Sequence, residues 1–233
     1  MAFFSYFPRT VISNNGNPIV VEDFLSRVTI SKEFRNNLVL LDDYFVRDGE
    51  TPEMVSYKMY NTPLYHWIIF LVNDIIDPRE EWPMPDAKVT EFVFASYDFV
   101  VTVPDTSKYN VDDVVNSDTG GEFIVTEVGA TTVSLRSQKG ITRLSTTSQL
   151  SNVTTEENDL PVTSVVDPTE GIHHYYDTEI EYIVDNDISN PNIVAVTNYE
   201  YETDRNDEKR TIKILNERYI SEIIKDFRNK IGE

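Results

Sequence analysis

Hydrophobic and polar positions alternate in three textures along the 233 residues. Leu38 to Val46, rich in Leu, Val, Tyr and Phe, reads as a strand that ends at the turn Asp48-Gly49. Two helices should follow. Thr51-Pro52 sets a capping hydroxyl before a proline at the first helical position, with Glu53 at the positive end of the dipole, and that helix runs to about Tyr60. Thr62-Pro63 repeats the device, and Leu64 to Asn73 is apolar on nearly every side, as a buried helix is. Trp67, Ile68, Leu71 and Val72 are its expected core residues. After Pro78, Pro83 and Pro85, Asp86 can cap a third helix with Val89, Phe92 and Val93 on one face, although the same residues also alternate as a strand.

From Tyr97 to about Gly140 the pattern shortens to Val/Thr-rich runs between turns: Asp98 to Val103, Val111 to Val115, Glu122 to Val128 and Thr131 to Leu135. Short strands at such spacing predict a small antiparallel barrel or sandwich. Ser145 to Thr155 is loop by composition, and further strands are expected within Ile172 to Tyr201, including Glu179 to Val184 and Ile193 to Thr197. The end of the chain reads as one long helix. Asn206 caps it, Asp207 and Glu208 stand in its first turn, and Lys225, Arg228 and Lys230 lie near its end. Ile212, Leu215, Tyr219, Ile220, Ile223, Ile224, Phe227 and Ile231 recur at three- and four-residue intervals. That stripe is covered by the chain's own core or by another subunit. The start carries Phe3, Phe4, Tyr6 and Phe7 within eight residues, and it too packs on its own fold or docks into a neighbour.

Charge narrows the partners. Forty Asp and Glu against twenty Lys and Arg give a formal −20, which repels phosphate backbones and anionic lipid, so neither nucleic acid nor membrane is an expected partner. No apolar run exceeds Trp67 to Val72, far short of the roughly 20 residues that a bilayer needs, and no basic leader opens the chain. A soluble protein of a cytoplasm is expected. Between Leu144 and Asp204 there are 13 acidic residues and no Lys or Arg, whereas residues 205–233 carry 8 basic and 6 acidic groups. Such a run is a solvated face or a surface complementary to a basic partner.

Candidate chemistry is sparse. Without Cys there is no disulfide, thiolate zinc site or cysteine nucleophile. His173 and His174 are adjacent, so in a regular strand they face opposite sides, and His66 reads as a satisfied residue of the apolar helix. Asp185-Asn186-Asp187-Ile188-Ser189 starts like a calcium loop, but Asn190 replaces the turn glycine and Val196 the closing glutamate. No catalytic set, cofactor, metal or small-molecule ligand is expected.

Tyr44-Phe45-Val46-Arg47-Asp48-Gly49-Glu50-Thr51, with Asn73 after the second helix, resembles the LysM module, a strand, helix, helix, strand fold. Tyr44, Val46, Gly49, Thr51 and Asn73 match its signature; Glu50, Pro52, Val55 and Ser56 depart. The resemblance implies that Asp48 to Thr51 and Asn73 to Trp82 correspond to that family's N-acetylglucosamine-binding loops. A larger likeness includes Tyr60-Asn61-Thr62-Pro63-Leu64-Tyr65, Trp67, Asn73-Asp74, Asp77-Pro78 and Trp82-Pro83. With Phe4-Ser5-Tyr6-Phe7-Pro8 and Asn206-Asp207-Glu208-Lys209-Arg210, it is similar to the baseplate wedge subunits of contractile-tailed bacteriophages, the gene 53 family.

The resemblance covers both ends and the LysM-like centre and leaves the middle without a counterpart, so with the residue pattern an α+β chain is expected: a docking segment over 1–36, a LysM-like βααβ core over 37–96, an inserted all-β domain over 97–165, and an acidic β segment with a long C-terminal helix over 166–233. The inserted stretch, at least 97 to about 140, should be dispensable for the remaining fold. The implied role is structural and non-enzymatic: a late protein of the virion, assembled in the host cytoplasm, that joins wedge and hub subunits of the tail baseplate. The candidate contact residues are Phe3, Phe4, Tyr6, Phe7, Tyr219, Ile223 and Phe227. The alternative is a module binding peptidoglycan or chitin.

Overall fold

The computed structural model describes residues 9–14, 17–22, 40–138, 140–141, 143–185 and 190–231. The chain opens with strands β1 (Arg9–Asn14), β2 (Asn17–Glu22) and β3 (Leu41–Phe45), followed by helices α1 (Pro52–Tyr60), α2 (His66–Asn73), α3 (Pro78–Glu81) and α4 (Asp86–Ser96). Next come β4 (Phe99–Thr102), β5 (Val114–Ser117), β6 (Glu122–Val128), β7 (Thr132–Ser137), β8 (Gln149–Asn152), β9 (Glu157–Pro161) and β10 (Ser164–Val166). A second group of strands, β11 (Ile172–Asp177), β12 (Tyr182–Val184) and β13 (Ile193–Thr197), precedes α5 (Asn198–Glu208), β14 (Thr211–Leu215) and α6 (Ile220–Ile231). Helix and strand are mixed, as an α+β chain requires. Two compact units result: Met1–Met84 with Asp207–Glu233, and Pro85–Asn206.

In the first unit the helix starts follow the local chemistry. The Thr51 hydroxyl accepts from the Met54 amide at 3.3 Å with Pro52 next, and Asn61 in the left-handed region (φ 56°) closes α1. Thr62 and Pro63 begin a single 3-10 turn, Pro63–Tyr65, that leads into α2, which Asp74 ends at φ 60°. Trp67, Ile68, Ile69 and Val72 are buried, whereas Leu71, expected in the core, is only half covered.

The strand that pairs with β3 comes from the far end of the chain. β14 runs antiparallel to β3 from Thr211↔Phe45 to Leu215↔Leu41. This overturns the single helix expected from Asn206 to Ile231: α5 ends at Glu208, residues 211–215 are extended, and α6 starts only at Ile220. The reason lies in Ile212-Lys213-Ile214, whose β-branched residues alternate with period two and find an open strand edge. The interval between Ile212 and Leu215 also fits a helix, so periodicity alone did not decide. Ile212, Ile214 and Leu215 then share a core with Val55, Trp67 and Val72, and α6 closes it with Ile223 and Phe227. The Phe227 ring lies 4.8 Å from Trp67.

The second unit centres on a seven-stranded antiparallel sheet of order β10-β4-β7-β6-β5-β8-β9. Its two edge strands, β9 and β10, are separated by two residues, Val162 and Thr163. At about 4.8 Å per strand, six steps across a flat sheet span roughly 29 Å, whereas so short a link reaches only about 10 Å. The sheet is therefore rolled, as the barrel expectation requires. Alternate residues fill it, among them Phe99, Val101, Phe123, Val125, Val133, Leu135 and Leu150, all fully buried.

Several local expectations change in this unit. Helix α4, read with the preceding domain, packs on the rolled sheet through Phe94, 5.6 Å from the Phe99 ring. Its buried face is Val89, Val93 and Phe94, while Phe92 is 39 % exposed. Ser145 to Thr155, read as loop, contains β8, because β5 offers an edge to Gln149–Asn152. The Val111 to Val115 strand starts at Val114, and the Glu179 to Val184 strand begins at Tyr182. The compact unit also extends over 85–206, beyond the 97–165 anticipated for the insertion.

Candidate interaction surface

Each residue of the Tyr44 to Asn73 pattern has a structural occupation. Gly49 adopts φ 73°, which a residue with a side chain resists. Val46 is buried, and its amide donates to the Arg210 carbonyl at 2.8 Å. The buried Glu50 carboxylate accepts from the Tyr44 hydroxyl at 2.9 Å, from the Arg47 amide at 3.0 Å and from the Lys58 ammonium. Burial alone would raise the Glu50 carboxyl, but these three hydrogen bonds and the Lys58 charge outweigh it and hold the group below its ordinary value. Burial, with Glu50 beside it, pushes the Tyr44 phenol up to about 12. Asn73 acts as an extra rung of the sheet: its side chain accepts from the Lys213 amide at 2.7 Å and donates to the Lys213 and Ile69 carbonyls, both at 2.8 Å.

The two loops singled out by the LysM resemblance, residues 48–51 and 73–82, are joined to each other. The Trp82 indole donates to the Glu50 carbonyl at 2.8 Å, and its ring lies edge-on to Phe70 at 6.2 Å. Trp82 is 8 % exposed, so its ring is packed within the chain rather than presented at the surface. Further bonds fix the second loop: Asp77 caps the turn through the Arg79 amide at 3.0 Å, and Lys209 donates to the Glu80 carbonyl at 2.7 Å. The sequence reading placed Glu50 and Trp82 only within the two loops, because neither burial nor the pairing of Trp82 with the Glu50 carbonyl across 32 residues leaves a local mark.

Of the candidate contact residues, Phe3, Phe4, Tyr6 and Phe7 lie outside the described residues. Ile223 and Phe227 are each 4 % exposed within the chain's own core, which removes them from any free surface. Tyr219 is half-buried, with the Arg218 guanidinium 5.0 Å from its ring centre. Other apolar groups of the first unit are exposed, among them Met54 and Tyr57, one turn apart on α1, with Phe45, Leu64 and Ile76, and Val11 and Val20 on the β1-β2 pair.

His173 and His174 do not face opposite sides. The register shifts between Ile172 and His174, and both rings reach Tyr201: His173 stacks on it at 3.8 Å, and His174 meets it edge-on at 5.8 Å. Partial burial, and then the neighbouring His174, hold the His173 imidazole below its ordinary value. Most of the calcium-like stretch, residues 186–189, lies outside the described residues. Among the described residues, no three His, Asp or Glu side chains are grouped to hold a metal ion, and no helix is long and apolar enough to cross a membrane.

Comparison with known proteins adds one relation. Residues 6–118, just under half of the chain, match the family of base plate wedge protein 53. That match supports the baseplate wedge family and, with it, a structural role in the phage tail baseplate. No curated protein matches the chain.

Proposed function

We propose that this chain is a structural baseplate wedge subunit of a contractile phage tail, joining neighbouring wedge and hub proteins by protein contacts and catalysing nothing. The match of residues 6–118 to the base plate wedge protein 53 family carries this reading. It extends to a late protein that enters the virion after assembly in the host cytoplasm. Nucleic acid, membrane and small ligands have no part in it, and the aromatic N-terminal segment with Met54 and Tyr57 is assigned to subunit contacts.

A LysM-like core supplies the scaffold. The order β3, α1, α2, β14, with β14 antiparallel to β3, favours it, and the 85–206 unit is then an insertion ahead of the last strand. The same arrangement keeps a second reading in play, a module for peptidoglycan or chitin. Trp82 speaks against that reading, because a sugar would have to displace a buried indole that already has its partner. Titration calorimetry of the purified chain against chito-oligosaccharides should give no heat of binding, and against the same phage's baseplate proteins it should give association. Micromolar sugar binding without subunit association would reverse the ranking.

A further inference from the structure

We propose that the face of the sheet β12-β11-β13 carrying Tyr176, Ile183 and Val194 docks a lysine-bearing, apolar-centred surface of a different protein chain, a proposal that rests on the baseplate reading. Register places Ile183 and Val194 on either side of Tyr176, so the three side chains share one face. Ile183 is 57 % exposed and Val194 44 %, and Ile180 in the adjoining turn reaches 63 %.

Sheets normally bury one face. Yet among the described residues no Val, Ile, Leu, Phe or Tyr between Val162 and Ile212 is buried, so these strands add nothing to the apolar core. The buried side chain of β11 is Asp177, which holds the following turn by accepting from the Glu179 amide at 2.8 Å and from Asn190 at 3.1 Å. The end of His174 is held by Tyr201 of α5, which leaves the Tyr176 to Ile183 end open.

Charge selects the occupant. Glu179 and Glu181 stand exposed in the turn at that open end, within the stretch Leu144 to Asp204 that has 13 acidic residues and no Lys or Arg. A second copy would set one such stretch against another in a chain of formal charge −20, which like-charge repulsion disfavours. A cationic rim around an apolar centre satisfies both the exposed hydrophobic groups and the carboxylates.

The test couples carboxylates to neighbouring amines in purified tails of the parent phage with a zero-length carbodiimide, followed by peptide mass spectrometry. The expected result is Glu179 or Glu181 joined to lysines of another baseplate subunit. In parallel, Ile183→Asp, an exposed change that leaves the melting temperature of the free chain unaltered, should lower the amount of the chain in tails at least tenfold. If the chain is present but those carboxylates stay uncoupled, or Ile183→Asp enters tails at the wild-type level, the docking face is wrong and the baseplate role stands. Coupling to lysines of a second copy also overturns it. A chain absent from the tails overturns the baseplate reading and this proposal together.

Discussion

Glu50 is a buried carboxylate whose partners all come from within the chain. It takes the place where the resembling signature has aspartate, and its additional methylene lets it gather Tyr44, Arg47 and Lys58 in a single cluster. Because its folded value lies below the ordinary one of 4.5, the stability it contributes is present above pH 4.5 and is lost as pH falls through the lowered value. Glu50→Gln should therefore cost about 1.5–3 kcal/mol at pH 7, the worth of hydrogen bonds to a charged group. Urea melts at pH 7 and pH 3.5 check it, since the gap between wild type and variant should narrow at the acidic pH. Thr51 and Gly49 were legible beforehand because capping and a positive φ are satisfied within a few residues. Trp82 was not, because its partner carbonyl is 32 positions away.

The C-terminal strand is where two readings of the same residues separate most cleanly. In a helix from Asn206, the apolar stripe passes through Ile212 and Leu215 and leaves Ile214 aside; in β14, Ile214 is 1 % exposed. Ile214→Ala should cost about 2–5 kcal/mol, the usual loss for a buried large-to-small change, and thermal or denaturant melts would reveal it. A cost of a few tenths would favour the helix. The helices started by threonine and proline were readable from sequence to within a residue or two: α1 as expected, and α2, expected from Leu64, from His66 after a 3-10 turn. For β14 the sequence offered two compatible periods, and the unpaired edge of β3 selected one. At His173 and His174, too, the alternation rule failed for a tertiary reason: a bulge turns both rings toward Tyr201.

For the molecule as a whole, the division at residues 84 and 207 gives a direct test of the insertion. Lys209 reaches the Glu80 carbonyl, so the two ends of the first unit approach each other in space. Replacing 85–206 by a short Gly/Ser linker should leave a folded unit, read from its circular dichroism and a cooperative melt with Trp67 buried. Removing only 97–140, the stretch first expected to be dispensable, would instead delete β4 to β7 and leave β10 without its partner and β8 with β9 alone; that variant should aggregate or lose the second unit. The sequence by itself determined the helix starts at Thr51-Pro52 and Thr62-Pro63, the turn glycine, the strand-rich middle and the acidic stretch, all properties of residues and their near neighbours. The tertiary structure alone decided that residues 211–215 complete the first sheet, that α4 packs through Phe94 on the rolled one, and that Ile223 and Phe227 are core rather than surface. Each of those outcomes depends on which edge or apolar face remains open elsewhere in the chain, and hydrophobic burial and backbone pairing act between such partners without regard to their separation in sequence.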